Sequence, residues 1–219
     1  MIKSILMFFT ISMVLNQSVI ADDKPSKRVF KIKITNLTKG QPITPPVIAV
    51  HNANYHIFKL GEASSPGLAA LAKDGVTNIL EQELAYERNV VRAKTGTGVI
   101  APGASQEVLI AVNHPEFKVS VVAMLGRTND AIVAVKGLGT KLKRGYFFET
   151  LANVYDAGAE ANTESCGEIP APPCNSPNLG MPGEGFIRPH EGILGIGDLD
   201  LSRDSFASQA AKISITRVK

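Results

Sequence analysis

Val29-Phe30-Lys31-Ile32-Lys33-Ile34-Thr35 decides the fold class. Phe30, Ile32 and Ile34 fall on one side of an extended chain, and Lys31, Lys33 and Thr35 on the other. A period of two with one apolar face marks a half-buried strand. The C-terminal segment repeats it, with Ile213 and Ile215 alternating with Ser214 and Thr216. Two such strands are expected near each other in one sandwich, where sheet pairing keeps ends from fraying.

Further strands are expected at Val47 to Val50, Val108 to Val112, Phe117 to Leu125, Ile132 to Val135 and Tyr146 to Val154. Ser65 to Gly75 reads as a short helix, with Ser65 as cap, Pro66 at the first helical position and Gly75 as stop. Asn78 to Glu87 fits either period and is read as a second short helical segment. Gly96 to Gly103 reads as a hairpin or loop. Asp156 to Gly185 is rich in glycine, proline and small polar residues, a length that is usually functional or poorly ordered. Many short strands with few helices predict an all-β fold, an antiparallel β sandwich with a short helical insertion.

The first residues have the order of an export signal: Lys3, an apolar run from Ile5 to Leu15, then small residues at Val19 and Ala21. The run is short for a bilayer span, which needs roughly 20 apolar residues. The expectation is therefore a leader over 1–21 and a single domain over 22–219, placed in the periplasm or secreted to the cell surface. The chain has 23 Lys and Arg, Lys3 being in the leader, against 20 Asp and Glu. That balance gives no long-range pull toward nucleic acid. Cys166 and Cys174 are the two cysteines, and outside the cytosol a disulfide between them is the default. Two free thiols are the alternative. No neighbouring histidine completes a zinc site.

No motif of an enzyme stands out. There is no Gly-x-Ser-x-Gly elbow, and the glycines from Gly96 to Gly103 lack the Lys-Ser/Thr of a phosphate loop. His51 and His56, five apart, are expected on opposite faces of a strand, and His51, His56, His114 and His190 all read as surface or loop residues. Glu81, Glu83 and Glu87 read as a solvated helix face.

Several segments together resemble the spondin-domain family. They are Phe30-Lys-Ile-Lys-Ile-Thr-Asn-Leu-Thr38 with Pro45-Pro46-Val47, Ala123-Met124-Leu125 followed by Thr128-Asn129-Asp130, Tyr155-Asp156-Ala157-Gly158-Ala159-Glu160, and the closing Ala211-Lys-Ile-Ser-Ile-Thr-Arg-Val218. The resemblance implies a β sandwich related to calcium-dependent membrane-binding modules, with a Ca²⁺ site at one end. It assigns the ion to Asp130 and Asp156, with Ala152 at a third position where only its backbone carbonyl could serve. Ala159 replaces the usual threonine, and the chain has no tryptophan where the family carries them.

The residues make a separate case. Ca²⁺ takes six to eight oxygen ligands, and loops at one end of a sandwich converge although distant in sequence. Asp130 and Asp156 stand in two such loops, with Glu160 and Asn162 as further oxygen donors. The alternative is that both aspartates are turn residues bonded to nearby backbone. Gly195 to Asp200, with Asp204 after it, reads as an ordinary loop into the last strand. The expected function is a non-catalytic, calcium-binding adhesion or binding module whose ligand is a protein, a glycan or a lipid headgroup. The alternative is a metal-independent structural or protein-interaction domain of the cell envelope. A hydrolase would need the histidines to converge with an acid in a pocket.

Overall fold

The computed structural model describes residues 28–112, 116–176 and 180–219. The leader expected over 1–21 and His114 lie outside the described residues. Within them the elements in chain order are β1 (Arg28–Asn36), β2 (Val47–His51), α1 (Pro66–Asp74), α2 (Asn78–Tyr86), β3 (Val90–Thr95), β4 (Ser105–Val112), β5 (Lys118–Met124), β6 (Ala131–Gly139), β7 (Phe147–Asp156), β8 (Arg188–Pro189), α3 (Leu201–Asp204) and β9 (Gln209–Arg217).

Hydrogen bonding links the strands in the order β3-β2-β5-β6-β7-β9-β1-β4, with β8 added to β7. Every pairing is antiparallel. The two patterned terminal strands are neighbours, with Ile32 opposite Ile215 and Ile34 opposite Ile213. The path folds on itself where β6 meets β7. These strands pair only from Ala131 to Ala134 against Asn153 to Asp156, and then separate. Phe30, Ile32 and Ile34 from one half thereby pack in the same core as Ile48, Val50, Val121 and Val133 from the other. Burying each such side chain contributes roughly 1.5–3 kcal/mol. The ends of the path, β3 and β4, face each other across a cleft, which Lys94 Nζ crosses to donate to the carbonyl of Leu109 at 3.0 Å.

A second core lies on the outer face of β2, β5 and β6. There Leu68, Leu71, Leu80 and Leu84 of the two helices, with Ile57 and Phe58, cover Val47, Ala49, Val122, Ile132 and Ala134. Helix α1 starts and stops as its sequence predicts. Ser65 Oγ accepts from the Leu68 amide, Pro66 opens the helix, and Gly75 closes it at φ 68°. Glu83, expected on a solvated face, instead clamps the helices together. Its carboxylate accepts from the Ser65 hydroxyl and the Gly67 amide, both at 2.6 Å. Strand β3 carries no apolar alternation strong enough to have been expected: none of Val90 to Thr95 is fully buried, and only Val90 and Ala93 pack, half-buried, against the second core.

The α1–α2 contact gives a first test. A Cβ added at Gly67 would stand 2.6 Å from Leu80 Cα and 2.7 Å from Glu83 Oε2. Gly67→Ala is expected to lower stability by about 1–3 kcal/mol through overpacking, read by chemical denaturation. An unchanged midpoint would show that the helices are not in contact there.

Candidate functional site

The brief β6–β7 pairing sets the geometry at one end of the sandwich. Ala131 stands opposite Asp156, so the aspartate just before β6 and the aspartate ending β7 are neighbours. Both are fully buried. The turn before β6 is held by Thr128, whose hydroxyl donates to the Leu125 carbonyl at 2.7 Å and accepts from the Ala131 amide at 3.0 Å.

Asp130 Oδ2 accepts from the amides of Ala159 at 2.7 Å and Glu160 at 3.0 Å. Asp130 Oδ1 is buried with no hydrogen-bond partner among the described residues. Burial first, and the neighbouring Asp156 carboxylate second, push the Asp130 carboxyl up to about 7 against the two amide bonds. Asp156 Oδ1 accepts from the Gly158 amide at 2.7 Å, and Oδ2 from Asn162 Nδ2 at 2.7 Å. Arg188 Nη2 lies 2.9 Å from the same Oδ2. Burial raises Asp156 too, opposed by the Gly158 bond and the Arg188 charge.

The structure thus brings together Asp130 and Asp156, the two principal residues read from the sequence. The other candidates do not join them as oxygen donors. Ala152 lies four residues back along β7, facing the inner core, about 13 Å away at the strand rise. Glu160 contributes its amide to Asp130, while its own carboxylate turns away to accept from the Gly180 amide at 2.9 Å. Burial raises its carboxyl as well. Asn162 presents its amide nitrogen, not its oxygen, to Asp156. Among the described residues no group of three or more His, Cys, Asp or Glu converges to hold a metal. A hard cation here would therefore draw on Asp130 Oδ1 and the Asp156 carboxylate, with carbonyls or water for the rest. The unpartnered Oδ1 and the two adjoining carboxylates fit that chemistry.

Arg188 escaped the sequence reading. It lies 32 residues beyond Asp156 in a glycine- and proline-rich stretch, and the only available signal was the need of a buried aspartate for a positive partner. It also pairs with Glu184 at 2.6 Å and Glu191 at 3.2 Å. The acidic stretch near Asp198 is a fastening, since Asp198 Oδ2 accepts from the Cys166 amide at 2.8 Å. Buried Glu164 accepts from three successive amides, Leu194, Gly195 and Ile196. Asp204 pairs with Arg203 at 2.6 Å and Arg127 at 3.4 Å. The expected disulfide joins Cys166 to Cys174, and Arg127 Nε donates to the Pro172 carbonyl within that small loop.

Of the histidines, His51 departs from the surface reading. It is 2 % exposed, and both ring nitrogens are bonded, Nδ1 to the Asn52 carbonyl at 2.7 Å and Nε2 to Ser120 Oγ at 2.8 Å. Strand β2 ends at His51, so the opposite-face expectation for His56 fails and both line one pocket.

An antiparallel β sandwich with acidic side chains gathered at one rim and a disulfide in the adjoining loop defines a β-sandwich module of the extracellular kind. The Spondin_N family model matches residues 42–175, more than half of the chain, and the chain belongs to that family. The search of curated proteins found no match. Family membership and the disulfide mark an extracellular or secreted binding or adhesion module. Among the described residues no helix is long and apolar enough to cross a membrane.

Gly158 and the disulfide each give a test of the rim and its adjoining loop. Gly158 sits at φ 65°, and an added Cβ would stand 2.3 Å from the Phe186 carbonyl oxygen. Gly158→Ala is expected to cost at least about 1–3 kcal/mol, more than the alanine at Gly185, which has open space around it. Replacing both Cys166 and Cys174 by alanine is expected to lower stability by about 2.5 kcal/mol from loop closure. Denaturant titration reads both.

Proposed function

We propose that this protein is a non-catalytic extracellular binding or adhesion module whose rim is set by Ca²⁺ between Asp130 and Asp156. The observation that carries the reading is Asp130 Oδ1, a buried carboxylate oxygen without a donor beside a second buried carboxylate. Ionising Asp130 there is unfavourable without a cation, because burial and Asp156 both oppose the negative charge. A bound ion would offset that repulsion and hold the turn before β6 against the Asp156-Ala157-Gly158 turn. Those turns connect to the long loop segment, where a protein, glycan or lipid-headgroup ligand would be met. Ca²⁺ fits an exported protein with carboxylate and carbonyl donors better than Mg²⁺, which keeps several waters.

A second reading, a metal-independent interaction module, is favoured by Arg188. Its guanidinium already neutralises Asp156 at 2.9 Å, and a protonated Asp130 would need no further cation.

Thermal unfolding separates the two. A ligand that binds only the folded state raises its stability by mass action. Under the calcium reading, millimolar Ca²⁺ raises the midpoint above that in chelator, and Asp130→Asn abolishes the difference. Under the metal-independent reading, chelator changes nothing and Asp130→Asn leaves the midpoint at neutral pH level or higher.

The pH dependence has a definite sign. Asp130 titrates near 7 when folded and near 3.8 when unfolded, so between these values the folded state holds the extra proton. Metal-free stability is therefore greatest below pH 3.8 for this group and falls as pH rises toward 7, by at most about 1.4 kcal/mol per unit. Asp156 and Glu160, also raised, act in the same direction. The calcium increment is expected to grow over the same interval, and Asp130→Asn to flatten the profile. Unfolding midpoints from pH 5 to 8, with and without calcium, provide the check.

A further inference from the structure

We propose that a pocket on the helix-covered face, walled by His51, His56, Lys118 and Lys136, binds a small oxyanion group, a sulfate or carboxylate. It is independent of the calcium reading, since Lys136 lies six residues along β6 from Asp130, about 20 Å at the strand rise.

The sheet register gathers these side chains. His51 stands directly opposite Lys118 between β2 and β5, and Ser120 follows on the same face two residues later. Lys136 follows Ile132 and Ala134 on that face of β6. Two irregularities in the ladder meet here. The β2–β3 register shifts between Val50 and His51, and the β5–β6 register shifts between Val119 and Val121. Gly137 takes φ 68° at the second shift and donates its amide to Ser120 Oγ at 3.0 Å. Bulges of this kind bend a strand and re-aim its side chains.

The pocket has a volume of about 250 Å³, below the roughly 300 Å³ at which sites for drug-sized ligands begin. It suits a single charged group on a larger molecule, or a free anion. Its lining side chains include two lysines and no carboxylate, and among the described residues no carboxylate forms an ion pair with Lys118 or Lys136. Lys136 is held in place by the rings of Phe58 and Tyr155, its Nζ 4.4 Å and 5.5 Å from their centroids. Burial first, then the charges of Glu87 and Glu83, push the phenol of Tyr55 in the pocket wall up to about 12, but both carboxylates are hydrogen-bonded outside the pocket, Glu83 to Ser65 and Gly67 and Glu87 to Asn89. An oxyanion among these groups would replace repulsion with charge-assisted hydrogen bonds. Burial first, with His56 and Lys118 adding to it, lowers the His51 pKa, so the neutral ring stays bonded to Ser120 Oγ as part of the wall and the lysines supply the positive charge.

The experiment is two-dimensional NMR of the folded protein, following the Gly137 amide and the His51 and His56 rings while sodium sulfate replaces sodium chloride. Expected is a saturable shift of these signals, weakened at least about tenfold in Lys118→Gln and retained in Lys118→Arg, both variants melting like the parent. A sulfated disaccharide binding more tightly than sulfate would place the anion on a glycan, and equal affinities would mark a site for the free ion. Either result supports the site. Shifts that do not saturate, that spread over the lysines at large, or that are unchanged in Lys118→Gln would overturn it. Because the titration runs in chelator, its failure leaves the calcium reading untouched, and the reverse holds.

Discussion

Four residues of pairing between β6 and β7 hold this architecture together. Ala131 to Ala134 bond to Asn153 to Asp156, and the strands then part. Had they paired along their whole length, the sheet would continue as one twisted layer with its apolar face open to water. Stopping early lets the path turn so that β1, β4, β7 and β9 close over β2, β5 and β6, and one core forms between them. The same four residues set Asp130 beside Asp156. The fold and the buried acidic pair therefore share a cause, and neither carboxylate could leave the other without unzipping the joint.

Much of this was legible in the residues. Phe30, Ile32 and Ile34 announce an inner face because the strand period is two, and β1 does bury them. Ser65, Pro66 and Gly75 mark α1 because caps depend on local chemistry that survives in any context. Asp130 and Asp156 were singled out by the resemblance to the spondin-domain family, since spacing alone reads them as ordinary turn residues. What escaped depends on partners distant in the chain. Arg188 meets Asp156 only after the long loop folds back. Strand β3 is defined by its neighbours β2 and α2 more than by its own pattern. The joint position of His51 and His56 was misjudged because counting along an unbroken strand assumes no bulge and no strand end, and here both occur.

The two rims of basic and acidic character lie toward opposite ends of β6. One end gathers Asp130 and Asp156 in burial, with Arg188 paired to Asp156; the other gathers Lys118 and Lys136, with no carboxylate paired to either among the described residues. Each imbalance is unfavourable by itself, and hydrophobic burial in two separate cores sustains both. Sites that local rules disfavour are where binding function is most often found.

The buried carboxylate of Glu164 has a different consequence. It is satisfied by the amides of Leu194, Gly195 and Ile196, at 2.7 Å for Gly195 and 3.0 Å for Ile196, so its partners are neutral dipoles shielded from water. Dissolved salt screens exposed pairs such as Lys31–Glu107 and Lys141–Glu116, yet finds little to screen at Glu164. The clasp that pins the distal loops is thus built to hold alike in dilute media and in brine.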